Sequence, residues 1–139
     1  MAAGLLSLTV SWGGDPEDLL IVEEGVSDDE PVALFRDVLA DERYRPDLLI
    51  LVDARLSDYT RVSWNVIGQR VDSLYAATGD APDLRVAAVV GTAVDFGLWR
   101  TWGSMVEARV GAHVYVADTL DDARDWLRTQ RRLRSDAAS

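Results

Sequence analysis

Asp47-Leu48-Leu49-Ile50-Leu51-Val52-Asp53 sets five apolar residues in a row between two acids, with no alternation. A strand wetted on one face shows a polar residue at every second position, so a continuous apolar run of this length describes a strand covered on both faces. Arg85-Val86-Ala87-Ala88-Val89-Val90 repeats the pattern. Between the two, from about Thr60 to Ala77, Trp64, Ile67, Val71, Leu74 and Tyr75 recur at helical spacing, and Gly79-Asp80-Ala81-Pro82 ends the segment. Two covered strands joined by a helix make a parallel crossover unit.

The pattern continues in both directions. Upstream, Val32, Phe35, Val38 and Leu39 form a helical stripe closed by Pro46. Ser27 to Glu30 has the spacing of a capping box, although Pro31 also allows the cap at Asp29 or Glu30. Before it, Leu6, Leu8 and Val10 share one strand face, Gly13-Gly14-Asp15-Pro16 supplies a turn, and Leu19 to Val22 returns as an antiparallel partner. Downstream, Gly91-Thr92 leads into a third helix ending near Gly111, Ala112 to Val116 forms a fifth strand, and Thr119 caps a last helix with Leu120, Ala123, Trp126 and Leu127 inward. The expected fold is a single α/β domain in the order ββαβαβαβα, with a mixed, mostly parallel five-stranded sheet and about four helices. It spans residues 1–130, and Arg131 to Ser139 is expected to be a polar, frayed tail.

The 139 residues are 48% hydrophobic, enough for one core. All 14 basic residues are arginine, which excludes chemistry that needs a lysine: a P-loop, a Schiff base or a kinase-type phosphate clamp. There is no cysteine, and a single histidine, His113, cannot complete a His-based zinc or iron site within one chain. No metal or cofactor is expected. The net charge of −10 argues against nucleic acid as a partner. The acids concentrate between Asp15 and Asp47, twelve against three arginines, as a solvated face or a docking surface for a basic partner. The apolar runs are too short to span a bilayer, and Met1 to Val10 lacks the basic region of a signal peptide, so the reading is cytoplasmic, with at most peripheral membrane contact.

Val52-Asp53, the strand Arg85 to Gly91, the helix start Phe96-Gly97-Leu98 and above all the closing stretch Val114-Tyr115-Val116-Ala117-Asp118-Thr119-Leu120-Asp121-Asp122-Ala123-Arg124-Asp125-Trp126-Leu127 together resemble the SpoIIAA-like family of STAS/SEC14-type domains. The resemblance covers roughly residues 5 to 130 and implies a non-catalytic module that binds a partner protein or a small apolar, lipid-like ligand. Sporulation regulators of the STAS type carry a phosphorylatable serine in an Asp-Ser-Ser-Gly-Leu-like motif. The corresponding segment here, Ala54-Arg55-Leu56-Ser57-Asp58-Tyr59-Thr60, lacks the glycine and the paired serines. Ser57, Asp58 and Thr60 are therefore candidate regulatory residues without an intact motif, and Ser57 or Thr60 is expected to cap the following helix.

Asp53, at the end of a strand, also resembles a receiver phospho-acceptor, but with no lysine available its expected role is to pair with Arg55 or to cap a helix. The third helix carries Val94, Leu98, Trp99, Trp102, Met105, Val106 and Val110 on one broad arc. Core packing explains most of that arc; the excess suits a pocket, a dimer seam or a membrane surface. Phe96, Trp99, Trp102 and Met105 are the candidate apolar contacts of a ligand. Gly91 and Thr92, where a strand meets a helix N-terminus, and the Ser57 to Thr60 loop are candidates for its polar end. The leading expectation is a homodimeric binding module; the alternative is a protein-interaction regulator of the STAS kind acting through the acidic face and Ser57.

Overall fold

The structure, a computed structural model, describes residues 6–26 and 33–138, with helix residues 33–35 and 138 as backbone only. The expected capping box at Ser27 to Glu30 lies outside the described residues, as does Val32. Strand β1 (Ser7–Trp12) folds back antiparallel on β2 (Leu19–Val26). Helix α1 (Ala33–Ala40), β3 (Leu49–Asp58), α2 (Trp64–Thr78), β4 (Arg85–Val90), α3 (Ala93–Val110), β5 (His113–Ala117) and α4 (Leu120–Ala138) follow. The sheet order is β1-β2-β3-β4-β5, parallel from β2 onward.

Successive right-handed crossovers that always step in the same direction must put their helices on one face of the sheet. Accordingly α1, α2 and α3 cover the face that carries Leu19, Ile21, Ile50, Val52 and Val86. The other face carries Leu49, Leu51, Ala87 and Val89, so β3 and β4 need cover on both sides, as their unbroken apolar runs predict. After β5 no crossover is required, and α4 is free to pack Ala123 and Leu127 there.

Arginines fasten α4. Arg124 pairs with the buried Glu17 at 3.2 Å, and Arg131 donates to the Pro16 carbonyl at 2.7 Å and to Asp18 at 2.9 Å. Arg134 reaches the carbonyls of Asp47 and Asp83. The expected frayed tail from Arg131 is thus helical through Ala138, because its arginines have backbone and carboxylate acceptors at the end of the sheet where β2, β3 and β4 begin. The acidic segment is also less of a free face than expected. Glu17 is buried and Asp18 accepts from the Leu49 N–H as well as from Arg131.

β3 runs further than its apolar core and contains a bulge. Val22 pairs with Asp53 but Glu24 pairs with Leu56, so two steps on β2 match three on β3. One extra residue in a strand inverts the facing of everything after it. Ser57, which regular alternation from Leu49 and Leu51 would turn toward α4, is instead directed to the α1–α3 face, where it meets Glu23. The bulge presses on β4: a Cβ built on Gly91 would come within 2.5 Å of the Arg55 carbonyl oxygen. Gly91 is therefore the residue that lets the bulged strand lie beside β4.

Helix α2 starts later than expected. Ser63 is its N-cap, accepting from the Val66 N–H, and neither Ser57 nor Thr60 caps it, because the strand has not yet ended at Ser57. Trp64, at the first turn, extends beyond the core and is exposed, so the buried stripe is Val66, Ile67, Val71 and Leu74.

Gly91→Ala is expected to lower stability by about 1–3 kcal/mol, the usual cost of forcing an extra carbon into a filled site. Chemical denaturation measures this, and the loss should come with a displaced bulge, read as amide shift changes at Arg55 to Tyr59.

Candidate functional site

A cavity of about 670 Å³ lies between the sheet and helices α1, α2 and α3. Its walls are mostly aliphatic: Ile21, Ile50 and Val52 from the sheet, Val38 and Leu39 from α1, and Ile67 from α2. Trp99 and Trp102 from α3 add an aromatic wall with Tyr59, packed edge to face at centroid distances of 6.2 Å for Tyr59–Trp99 and 5.1 Å for Trp99–Trp102.

A polar cluster interrupts this lining, and Arg36, Gln69 and Ser73 line the cavity as well. Glu23 continues the inward series Leu19, Ile21 along β2 and lines the cavity, partly accessible but densely surrounded by protein. Its Oε1 accepts from the Tyr59 hydroxyl and from Ser57 Oγ at 3.4 Å. The Trp99 indole N–H donates in turn to the Tyr59 hydroxyl. Arg70 on α2 also lines the cavity and attracts the Glu23 carboxylate. Burial pushes the Glu23 pKa above the ordinary carboxylate value, while the Tyr59 hydrogen bond, the Arg70 charge and the Ser57 hydrogen bond oppose that rise. Burial also holds the Tyr59 phenol well above its usual range, helped by the adjacent Glu23. Asp95, buried at the start of α3, accepts from the Tyr59 backbone N–H and so ties the end of β3 to α3. On the cavity wall that α1 and its following loop form, the Tyr44 hydroxyl is buried without a hydrogen-bond partner among the described residues, and burial pushes it up to about 12.

Of the residues singled out in the sequence, Trp99 and Trp102 line this cavity. Phe96 packs partly buried against the same core but is not among the lining residues. Met105 and Val94 are exposed. The wheel misplaces them because Gly103 is the point of closest approach to the sheet, where an added Cβ would come within 2.9 Å of Val114 Cγ1. The buried stripe accordingly follows Asp95, Gly103, Val106 and Val110. Thr92 caps α3 by accepting from the Asp95 N–H at 3.1 Å, and Gly91 gives way to the bulge, so neither touches the cavity. Ser57 belongs to the Glu23 cluster, whereas Asp58 and Thr60 bond to each other at 2.7 Å in an exposed turn. Asp53 is held by Arg55 through two bonds of 2.9 and 2.7 Å, as expected from the sequence. His113 begins β5 and is exposed. Among the described residues no group of His, Cys, Asp and Glu could hold a metal ion, and no helix is long and apolar enough to cross a membrane.

Arg70 was missed, Glu23 was not among the ligand candidates, and Tyr59 entered only as part of the Ser57 to Thr60 loop. The signal for Glu23 was the period of two from Leu19; Tyr59 and Arg70 required the bulge and the helix packing.

This architecture, a five-stranded mixed sheet with three helices on one face and one on the other, is a SpoIIAA-like fold. The crystal structure of an uncharacterized protein from the DUF3478 family with a SpoIIAA-like fold, from Shewanella loihica PV-4, matches with a TM-score of 0.58 at 15% sequence identity, covering 91% of this chain and 98% of that chain. The fold implied by the closing strand and helix is thereby shown. No family model matches the chain, and no curated protein matches it.

Because the folded state raises the Glu23 pKa, the folded protein binds that proton more tightly than the unfolded chain. The contribution is fully present below the ordinary value near 4.5 and is lost as pH rises through the folded value. Wild-type stability relative to Glu23→Gln is therefore expected to fall as pH rises from about 4.5 toward neutrality. Parallel denaturation of the two proteins across that range checks the sign.

Proposed function

We propose that the protein is a non-catalytic binding module that takes a small apolar or lipid-like molecule into the cavity under α1, α2 and α3. The observation that carries this reading is the cavity itself: about 670 Å³, apolar over most of its wall, with a cluster of polar groups around Glu23. Ligand pockets have this size and composition. Trp99, Trp102 and Tyr59 supply apolar contact, and the Glu23 cluster takes the polar end. Those polar groups engage one another rather than presenting a nucleophile beside a free base, which favours binding over catalysis. The regulator reading through Ser57 is weaker, since this side chain is buried and donates to Glu23, out of reach of a modifying enzyme. A homodimer remains part of the proposal. Leu56, Trp64 and Val94 leave apolar surface exposed at the end of the sheet where α2 and α3 begin.

The test is titration with the neutral apolar fluorophore N-phenyl-1-naphthylamine. Saturable enhancement with wild type is expected, weakened about tenfold or more in Trp102→Ala, a loss of about 1.4 kcal/mol, with the fold of the variant checked by circular dichroism. Absence of saturable binding to wild type contradicts the proposal.

A further inference from the structure

The cavity wall carries one carboxylate, Glu23, and two guanidiniums, of which Arg36 is exposed and Arg70 is partly withdrawn from solvent beside Glu23, and the balance of the Glu23–Arg70 pair selects among ligand head groups. Glu23 and Arg70 attract each other, and Glu23 Oε1 is occupied by two hydroxyl donors, Tyr59 and Ser57. The two donors and the cation favour the ionised carboxylate against the burial that opposes it. The pair is neutral as a whole. A ligand carboxylate brought to it would face Glu23 as a like charge, and a ligand ammonium would put a second cation on a carboxylate already matched by Arg70. Either ion leaves one charge unmatched by that pair in a largely apolar cavity, which is costly. A neutral hydroxyl adds no charge; it can donate to the Glu23 carboxylate and accept from a neighbouring donor. Around it, Tyr59, Trp99 and Trp102 and the aliphatic wall supply apolar contact.

We infer that the ligand is an uncharged amphiphile, a long-chain or polycyclic apolar molecule ending in a hydroxyl group, whose hydroxyl bonds to Glu23 between β2, the bulged end of β3 and α2. This deepens the binding-module reading and rests on it.

Decanol, decanoate and decylammonium share one tail and differ only in the head, so displacement of N-phenyl-1-naphthylamine by each at pH 7.5 tests the inference. Decanol is expected to displace the probe at a concentration about tenfold lower than either ion. In Glu23→Gln, Arg70 keeps its charge without the matching carboxylate, and the order should shift toward decanoate by about tenfold relative to decanol. A purely structural role for Glu23 would weaken all three alike. Tighter binding of decanoate or decylammonium to wild type overturns the inference and leaves the binding module standing, as does failure of all three to displace a bound probe. Failure of the probe itself to bind overturns both. Should Glu23→Gln not fold, the order of the three ligands on wild type still decides.

Discussion

The extra residue in β3 is the constraint on which the site depends. A strand that kept its alternation would send Ser57 to the α4 face, and Glu23 would lose a donor. The bulge turns the chain over after Asp53, and Tyr59, held by Asp95 at the head of α3, arrives beside Glu23. The bulge is possible only because Gly91 follows the neighbouring strand, with no Cβ to meet the Arg55 carbonyl. A glycine whose place between a strand and a helix N-terminus made it a candidate contact for a ligand's polar end thus has a packing role, and its effect on the site is indirect.

The two faces of the sheet do different work. The α4 face is closed by small and branched apolar side chains and by arginines that bond to the turn after β1 and to the loops before β3 and β4. Its role is to fix the sheet. The opposite face carries three helices, and where they do not meet the sheet closely the cavity opens. Gly103 brings α3 hard against β5, while Trp99 and Trp102 on the same helix stand over the cavity, so one helix both packs and lines. In this acidic protein, Glu17 and Glu23 serve inside the structure, one tethering α4 and the other forming the polar end of the cavity.

The fold was legible because its determinants are local. Unbroken apolar runs at Leu48 to Val52 and Val86 to Val90 report burial on both faces, and Gly79, Pro82 and Gly111 punctuate the helices between strands. The site was legible in part. Trp99 and Trp102 stood out as surplus apolar side chains, but a helical wheel counts side chains and is blind to glycine, so it centred the buried arc toward Met105 rather than on Gly103. Ser57 to Thr60 read as a loop because strand expectations assume a fixed period of two, which a bulge breaks. Arg70 gives no sequence signal: a cation on a helix is ordinarily solvated, and only the packing of α2 over the cavity brings it to Glu23.

The central claim is that this face of the sheet holds a preformed apolar cavity whose polar end is Glu23. A crystal structure of the protein grown with decanol tests it most directly. The account predicts the alkyl chain along Trp99 and Trp102 with its hydroxyl within hydrogen-bond distance of Glu23. A cavity closed by repacked side chains, or decanol bound with its hydroxyl away from Glu23, would contradict it.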